Sequence, residues 1–398
     1  MKPKSGLTRF HNCNILRDSK IIKEDLWIRD GKIVNPEQVF YVEQAEADVT
    51  INCENLLIAP GFIDIQVNGG WGVDFSYDSD NVEDGVKKVA KELLAHGVTS
   101  FCPTMVTSEK EKYQKILPKI RKQQGGPEGA TILGVHLEGP FISLAKKGAH
   151  KEELIRNPEK GLDSIYDIYG SLDNVIIVTL ASELPGATEA IKGLTKLGIK
   201  VALGHSSASL AQGEEAVRNG ANLITHLFNA MLPFHHRDPG LVGLLASSTE
   251  KQVYYGIISD GIHTHPAALR IACRTNPEGL VLVSDAVAAQ GLADGTYRIG
   301  PQSVNVENGR AYVSGTNILC GSTTALDECI NSFKQYCSLE YALETASLHP
   351  AKALGIDHIK GNLNYDCDAD FVIMNPDTLK VLSTWIAGEC VYKKKNSH

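Results

Sequence analysis

Nowhere does the chain hold about 18 consecutive apolar residues, so nothing in it reads as a membrane-spanning helix. The stretch from Met1 to Phe10 lacks the apolar core of roughly 7–15 residues that marks a secretory signal. Its nine cysteines are odd in number, scattered from Cys13 to Cys390, and include no Cys-x-x-Cys pair. A compact disulfide framework is therefore disfavoured, and reduced core thiols are expected. Positive charge is in deficit: 39 Lys and Arg against 47 Asp and Glu give −8, with no basic run beyond Lys393 to Lys395. Nucleic-acid and anionic-membrane binding are disfavoured, and an anionic substrate needs a few placed cations to draw it in. Internal repeats and low-complexity blocks are also missing. These absences lead to the expectation of a soluble, cytoplasmic protein.

What is present points to a large α/β core. At about 150 residues per domain, 398 residues allow two to three domains, although one α/β barrel can take most of that length. Eight short apolar runs follow one another at 57–67, 98–105, 131–138, 175–181, 200–205, 222–227, 253–259 and 280–285. Continuous apolar runs suit parallel strands buried on both faces. Between them, stretches such as 81–96, 184–197 and 207–219 have apolar residues near helical spacing and end at Gly97, Gly198 and Gly220. Eight strands with intervening helices predict a (β/α)8 TIM-like barrel, with a doubly wound open sheet as its rival. Residues 8–16, 26–29, 32–35 and 49–52 read as short strands around turns such as Asp30-Gly31, and 370–374 and 391–393 do the same. The expected organisation is a small β-sandwich built from 1–56 and 361–398 beside a barrel at 57–360.

In a barrel, residues at the carboxyl ends of the strands converge on one mouth. The run ends carry Gln66 and Asn68, His136 and Glu138, His205, His226, Asp260 and Asp285. Two imidazoles and a carboxylate from separate strands can give three ligands to a divalent ion and leave a position for water. Each residue also has a plain structural reading, as a hydrogen-bonded histidine or a carboxylate capping the Gly139-Pro140 turn. The agreement of Glu138, His205, His226 and Asp285 in position raises the metal reading but leaves the structural one open.

The segments Ala59-Pro-Gly-Phe-Ile-Asp-Ile-Gln-Val-Asn-Gly-Gly70, His136-Leu-Glu-Gly-Pro-Phe-Ile142, Gly204-His-Ser206, Thr225-His-Leu-Phe-Asn-Ala-Met231 and Ser284-Asp-Ala286 are longer and more specific. With Gly148-Ala-His150, Ser259-Asp-Gly-Ile-His263 and His349-Pro-Ala-Lys-Ala-Leu-Gly355, they resemble the N-acetylglucosamine-6-phosphate deacetylases of the amidohydrolase superfamily, in order along nearly the whole chain. The resemblance implies hydrolysis of the acetamide of a phosphorylated amino sugar. It also implies that Glu138, His205 and His226 hold a divalent metal, with zinc first and iron, cobalt, nickel or manganese as alternatives. Asp285 matches the general base and acid, and His150 matches a histidine beside the acetamide. Substrate contacts fall on Ala149, His150, Asn229, Ala230, Arg237, His263, Thr264, His265, Pro266, Leu319, Cys320 and Gly321, with Arg237 and His263 toward the phosphate. A homodimer is a further expectation, since the family's phosphate site can lie near a subunit interface.

One departure matters. Many amidohydrolases carry His-x-His at the end of strand one, where this chain has Gln66-Val67-Asn68. Neutral amides are weak ligands for transition metals, so one tightly held ion per subunit is expected. Two other readings remain: an amidohydrolase acting on a cyclic amide or another acylated sugar, and a noncatalytic sugar-phosphate sensor.

Overall fold

The computed structural model describes residues 6–77 and 79–395. Eight parallel strands succeed one another: β1 Phe62–Val67, β2 Val98–Val106, β3 Val135–Glu138, β4 Val175–Leu180, β5 Lys200–Leu203, β6 Leu223–Ile224, β7 Tyr254–Ile257 and β8 Leu280–Leu282. Each lies beside the next. The ring closes where a parallel bridge joins Val67 to Ala286, the Asp285 N–H donates to the Gln66 carbonyl at 3.0 Å, and the Asn68 N–H donates to the Ala286 carbonyl at 2.8 Å. Every residue of β1, β2 and β3 is buried, as continuous apolar strands between a filled interior and an outer helical layer must be. The barrel expectation holds, and the open-sheet rival fails at this closure.

The outer helices follow their sequence signals. Val82–Leu93 turns its buried face, Val82, Val86, Val89, Ala90 and Leu93, onto the barrel, and the chain leaves it through Gly97 at φ 74°. Leu210–Arg218 starts with a capping box in which Ser209 and Gln212 each satisfy the other's backbone N–H.

Two further sheets are built from the termini, the first from N-terminal strands alone and the second from both. One orders Lys32–Ile33, Leu26–Arg29, Thr8–His11 and Val49–Asn52; the other orders Glu389–Lys393, Val381–Ile386, Phe371–Met374, Leu57–Pro60, Asn14–Arg17 and Lys20–Lys23. Phe10, Ile15, Leu26, Ile28, Ile58 and Phe371 form a common core, in which Phe10 meets Phe371 edge-on at 5.3 Å. The run expected as one strand at 57–67 is split. Leu57–Pro60 pairs with Phe371–Met374, whereas Phe62–Val67 belongs to the barrel. Gly61 lies at the crossing: a Cβ there would stand 2.2 Å from Thr99 Oγ1, so only glycine lets the chain pass.

A three-stranded antiparallel sheet, Gly295–Ile299, Gln302–Glu307 and Arg310–Val313, follows β8 and was not anticipated from the sequence. Its apolar face of Ile299, Val304, Val306 and Ala311 packs on Val106, Val287 and Cys320, beside the barrel mouth.

Candidate active site

At the end of β3, Glu138 Oε1 lies 3.1 Å from His205 Nε2 and 2.9 Å from His226 Nε2, and the two imidazole nitrogens are 3.1 Å apart. All three side chains are buried. His205, His226 and Asp285 stand just beyond strand ends with φ of 47°, 28° and 49°. For residues with a Cβ this region costs of order 1–3 kcal/mol each, a strain that the surrounding barrel must offset. It turns the three side chains out of strand direction and toward a common cavity of about 800 Å³ of empty space, partly open to solvent.

The donor set fits a divalent cation. His205 Nδ1 faces the Lys146 carbonyl at 2.9 Å, and a carbonyl can only accept, so the hydrogen of a neutral ring sits on Nδ1. Its Nε2 lone pair then points at a carboxylate oxygen, an arrangement that needs a positive charge between them. Two atoms bound to one tetrahedral ion at about 2.0–2.1 Å lie roughly 3.3 Å apart, close to the observed triangle. His150 also belongs to a group with Glu138 and His205 whose ligand atoms lie within 4.8 Å of one another. The grouping with His226 is tighter, and His150 Nδ1 already faces Thr107 Oγ1 at 2.6 Å.

Electrostatics of the three groups are mutually dependent. Burial opposes ionisation of Glu138, but the His205 and His226 rings set against it, with His226 as the donor, hold its carboxyl well below the usual range. Burial likewise opposes charge on His226, yet its bond to Glu138 carries it up to about 9. The pair therefore keeps a positive charge beside the carboxylate, which a cation can replace. Burial, and then His205, push His150 down to about 3, so that ring is neutral at physiological pH. Burial, and then the charge of Glu138, raise Asp285 to about 6.

Gln66 and Asn68 clamp the carboxylates. Gln66 Nε2 donates to Glu138 Oε1 at 3.2 Å and to Asp285 Oδ1 at 3.1 Å, and Asn68 Nδ2 donates to the same Asp285 oxygen at 2.7 Å. Both amides converge on Oδ1 and leave Oδ2 free of them. A further pair lies at the cavity wall: His263 Nδ1 meets Asp260 Oδ2 at 2.6 Å, while its buried Nε2 has no partner among the described residues.

Of the residues implicated by sequence, Glu138, Ala149, His150, His205, His226, Asn229, Ala230, His263, Asp285, Leu319, Cys320 and Gly321 line this one cavity. Arg237, Thr264, His265 and Pro266 are not among its lining residues. Arg237 is exposed in a surface loop, with Nη1 3.4 Å from His236 Nε2. Thr264 is buried, while His265 caps the helix Pro266–Thr275 by accepting from the Ala267 N–H, with Pro266 as that helix's first residue. His136 bonds the Ile65 carbonyl and Thr179 Oγ1 and serves the barrel interior. Sequence reasoning missed Thr107, Val106, Ile299 and Pro301, which also line the cavity. Thr107 directly follows β2, a strand whose end carries no residue of conspicuous chemistry, and Ile299 and Pro301 come from the inserted sheet.

Residues 57–391 match the sequence model of the Amidohydrolase family. The chain is 55% identical to an N-acetylglucosamine-6-phosphate deacetylase of Danio rerio, over 98% of this chain and 97% of that protein. Among solved structures, the N-acetylglucosamine-6-phosphate deacetylase of Pasteurella multocida superposes with a TM-score of 0.85 at 29% identity, covering 98% of this chain and 100% of that one. A variant of the Mycobacterium smegmatis N-acetyl-D-glucosamine-6-phosphate deacetylase, in complex with N-acetyl-D-glucosamine-6-phosphate, gives 0.83 at 31% identity with the same coverage.

Proposed function

The chain belongs to the amidohydrolase family, and on that premise we propose that it hydrolyses the acetamide of N-acetyl-D-glucosamine 6-phosphate, releasing D-glucosamine 6-phosphate and acetate. The observation that carries this reading is near-full-length identity to a deacetylase of that substrate, at 55%. The convergence of Glu138, His205, His226 and Asp285 on one cavity supports the chemistry.

Glu138, His205 and His226 hold one divalent cation, zinc in the first instance. When bound, such an ion lowers the pKa of water and polarises a carbonyl oxygen. Asp285 Oδ2, left free by the two amides, accepts the proton of the attacking water. As the C–N bond breaks, Asp285 returns that proton to the departing nitrogen, which leaves as a neutral amine. His150 donates to the carbonyl oxygen as negative charge develops there. His263, with Nδ1–H held by Asp260, donates to the phosphate from Nε2 in its doubly protonated form.

Arg237 completes the phosphate site from a second copy of the chain in a homodimer. This is supported by its exposure away from its own cavity and by the exposed Phe234 beside it in the same loop. All nine cysteines are free, which supports a reducing compartment, the cytoplasm. No helix among the described residues is long and apolar enough to cross a membrane.

The test is acetate release from N-acetylglucosamine 6-phosphate by protein as purified, after chelation, and after return of single metals. Loss on chelation with recovery on one metal is expected, and activity that survives proven removal of the ion sinks the scheme. Equal turnover of N-acetylglucosamine without its phosphate would favour a different amidohydrolase substrate. Absence of any turnover with retained sugar-phosphate binding would favour the sensor.

A further inference from the structure

His150 can assist a carbonyl only if a hydrogen sits on the ring nitrogen that faces the cavity. The hydrogen bonds of its other nitrogen decide this. His150 Nδ1 lies 2.6 Å from Thr107 Oγ1 and 3.4 Å from the Thr107 backbone nitrogen. A hydroxyl can donate or accept and does not settle the tautomer alone. A backbone N–H can only donate, so its approach to Nδ1 identifies that nitrogen as the lone-pair side. The ring is then a neutral imidazole with its hydrogen on Nε2, which makes no hydrogen bond within the described residues.

The contact is built by the barrel. Val106 and Glu138 are register partners on β2 and β3, which sets Thr107 beside Gly139, one step past each strand. Gly139 has φ +83°, and a Cβ there would stand 2.3 Å from Thr107 Oγ1 and 3.3 Å from His150 Nδ1. The glycine after Glu138 thus leaves the space in which the threonine reaches the histidine. Thr107 and His150 are both buried, so water does not compete for the bond.

We propose that Thr107 is a positioning residue for the hydrolysis, which by donating to His150 Nδ1 fixes the ring in the tautomer whose Nε2–H points to the substrate carbonyl. This rests on the reading of His150 given above. It names a residue, the atom it acts on and the proton position it enforces.

The experiment uses full-length, zinc-loaded protein with 15N-labelled histidine, the His150 signals being assigned by their loss in His150→Asn. In the parent protein, nitrogen shifts and one-bond couplings are expected to show Nδ1 bare and Nε2 protonated; a proton on Nδ1 overturns the proposal. Thr107→Val, which keeps only the long 3.4 Å backbone contact to Nδ1, is expected to populate the other tautomer in part and to lower kcat on the order of 10–100-fold, the scale of weakening one oxyanion donor, with KM and zinc content little changed. Thr107→Ser, which keeps the hydroxyl, restores both tautomer and rate. A valine variant that is folded and zinc-loaded, with the parent tautomer and rate, also overturns the proposal. The spectroscopic arm needs no substrate. If acetate release is never seen while Nε2 is protonated, the functional reading fails and the role of Thr107 on the ring stands.

Discussion

Asn68 Nδ2 stands 2.7 Å from Asp285 Oδ1, joining two residues 217 positions apart across the seam where the barrel closes. Gln66 Nε2 reaches the same oxygen at 3.1 Å. From sequence these two amides are expected only to be weak metal ligands. Here two neutral amides hold the carboxylate by Oδ1, and Oδ2, free of both, is the atom to which the proposed mechanism gives the proton.

Asn68→Leu removes the shorter of these donors at nearly constant volume. A hydrogen bond to a charged group is worth about 1.5–3 kcal/mol, so kcat should fall on the order of 10–100-fold. Metal content should not change. Steady-state acetate release with metal analysis checks this, and an unchanged kcat would mean that the amide does not orient Asp285.

Asp285→Asn keeps the shape of the side chain and its contact with the cavity but cannot take a proton. General acid–base groups contribute roughly 10²–10⁴-fold, and a loss in that range is expected while the metal is retained. Near-normal acetate release by this variant would rule out the proton shuttle.

Metal analysis after purification without chelators should find one ion per chain, because Gln66 and Asn68 are spent on Asp285 and Glu138 and are poor donors in any case. Two stoichiometric ions would defeat that expectation. Adding zinc to chelated protein should raise Tm, since the ion binds the folded state alone. Glu138→Gln should remove most of that rise, which differential scanning calorimetry can read.

Asp64 lies under the site, fully buried, with Oδ1 accepting from the Gln66 and Ser284 N–H groups and Oδ2 unpartnered. Burial raises it to about 7, from the model-peptide value of 3.8. A carboxyl that holds its proton longer when folded contributes stability that is complete below its unfolded pKa and is lost as pH rises to its folded one. The stability of Asp64→Asn relative to the parent should therefore improve between about pH 4 and pH 7, by a few kcal/mol at most, and level off above. Urea midpoints across that range check the sign, and a relative stability that does not vary with pH would remove Asp64 from the account.

Lys360 Nζ is buried between Asp368 Oδ2 at 2.7 Å and Asp370 Oδ2 at 2.5 Å, near the point where the chain enters the terminal sheets. Removing one partner of a buried pair leaves an uncompensated charge. Lys360→Met should lower stability by roughly 3–5 kcal/mol without altering KM. A loss under about 1 kcal/mol in chemical denaturation would show that solvent relieves the charge.

The barrel was legible because its strands are buried on both faces, and such strands write themselves as continuous apolar runs. Boundaries were less legible: Leu57–Pro60 and Phe62–Val67 are one run in sequence, and only the space at Gly61 divides them between two sheets. The inserted sheet after β8 was missed, although Asn308-Gly309 turns between two of its strands, because its half-buried alternation is a weaker signal than the barrel's. Glu138, His205, His226 and Asp285 could be picked out by residue type at a strand end. Thr107 could not, since a threonine after an apolar strand has no chemical signature until its partner is known. Gln66 and Asn68 were noticed as poor metal ligands, but their acceptor was out of reach of any local pattern.

The sequence by itself determined the eight strands and the kinds of group at their carboxyl ends, since burial and side-chain chemistry are properties of each residue and its neighbours in the chain. The tertiary structure decided which atom meets which. It gave the Gln66 amide to Glu138 and Asp285, 72 and 219 positions away, set Nδ1 of His150 against Thr107, and left Arg237 outside the cavity of its own chain. The physical reason is closure: a curled sheet brings side-chain atoms from different strand ends within about 3 Å at spacings that the linear chain does not encode, and hydrogen bonds of that length are what fix the proton on one atom rather than another.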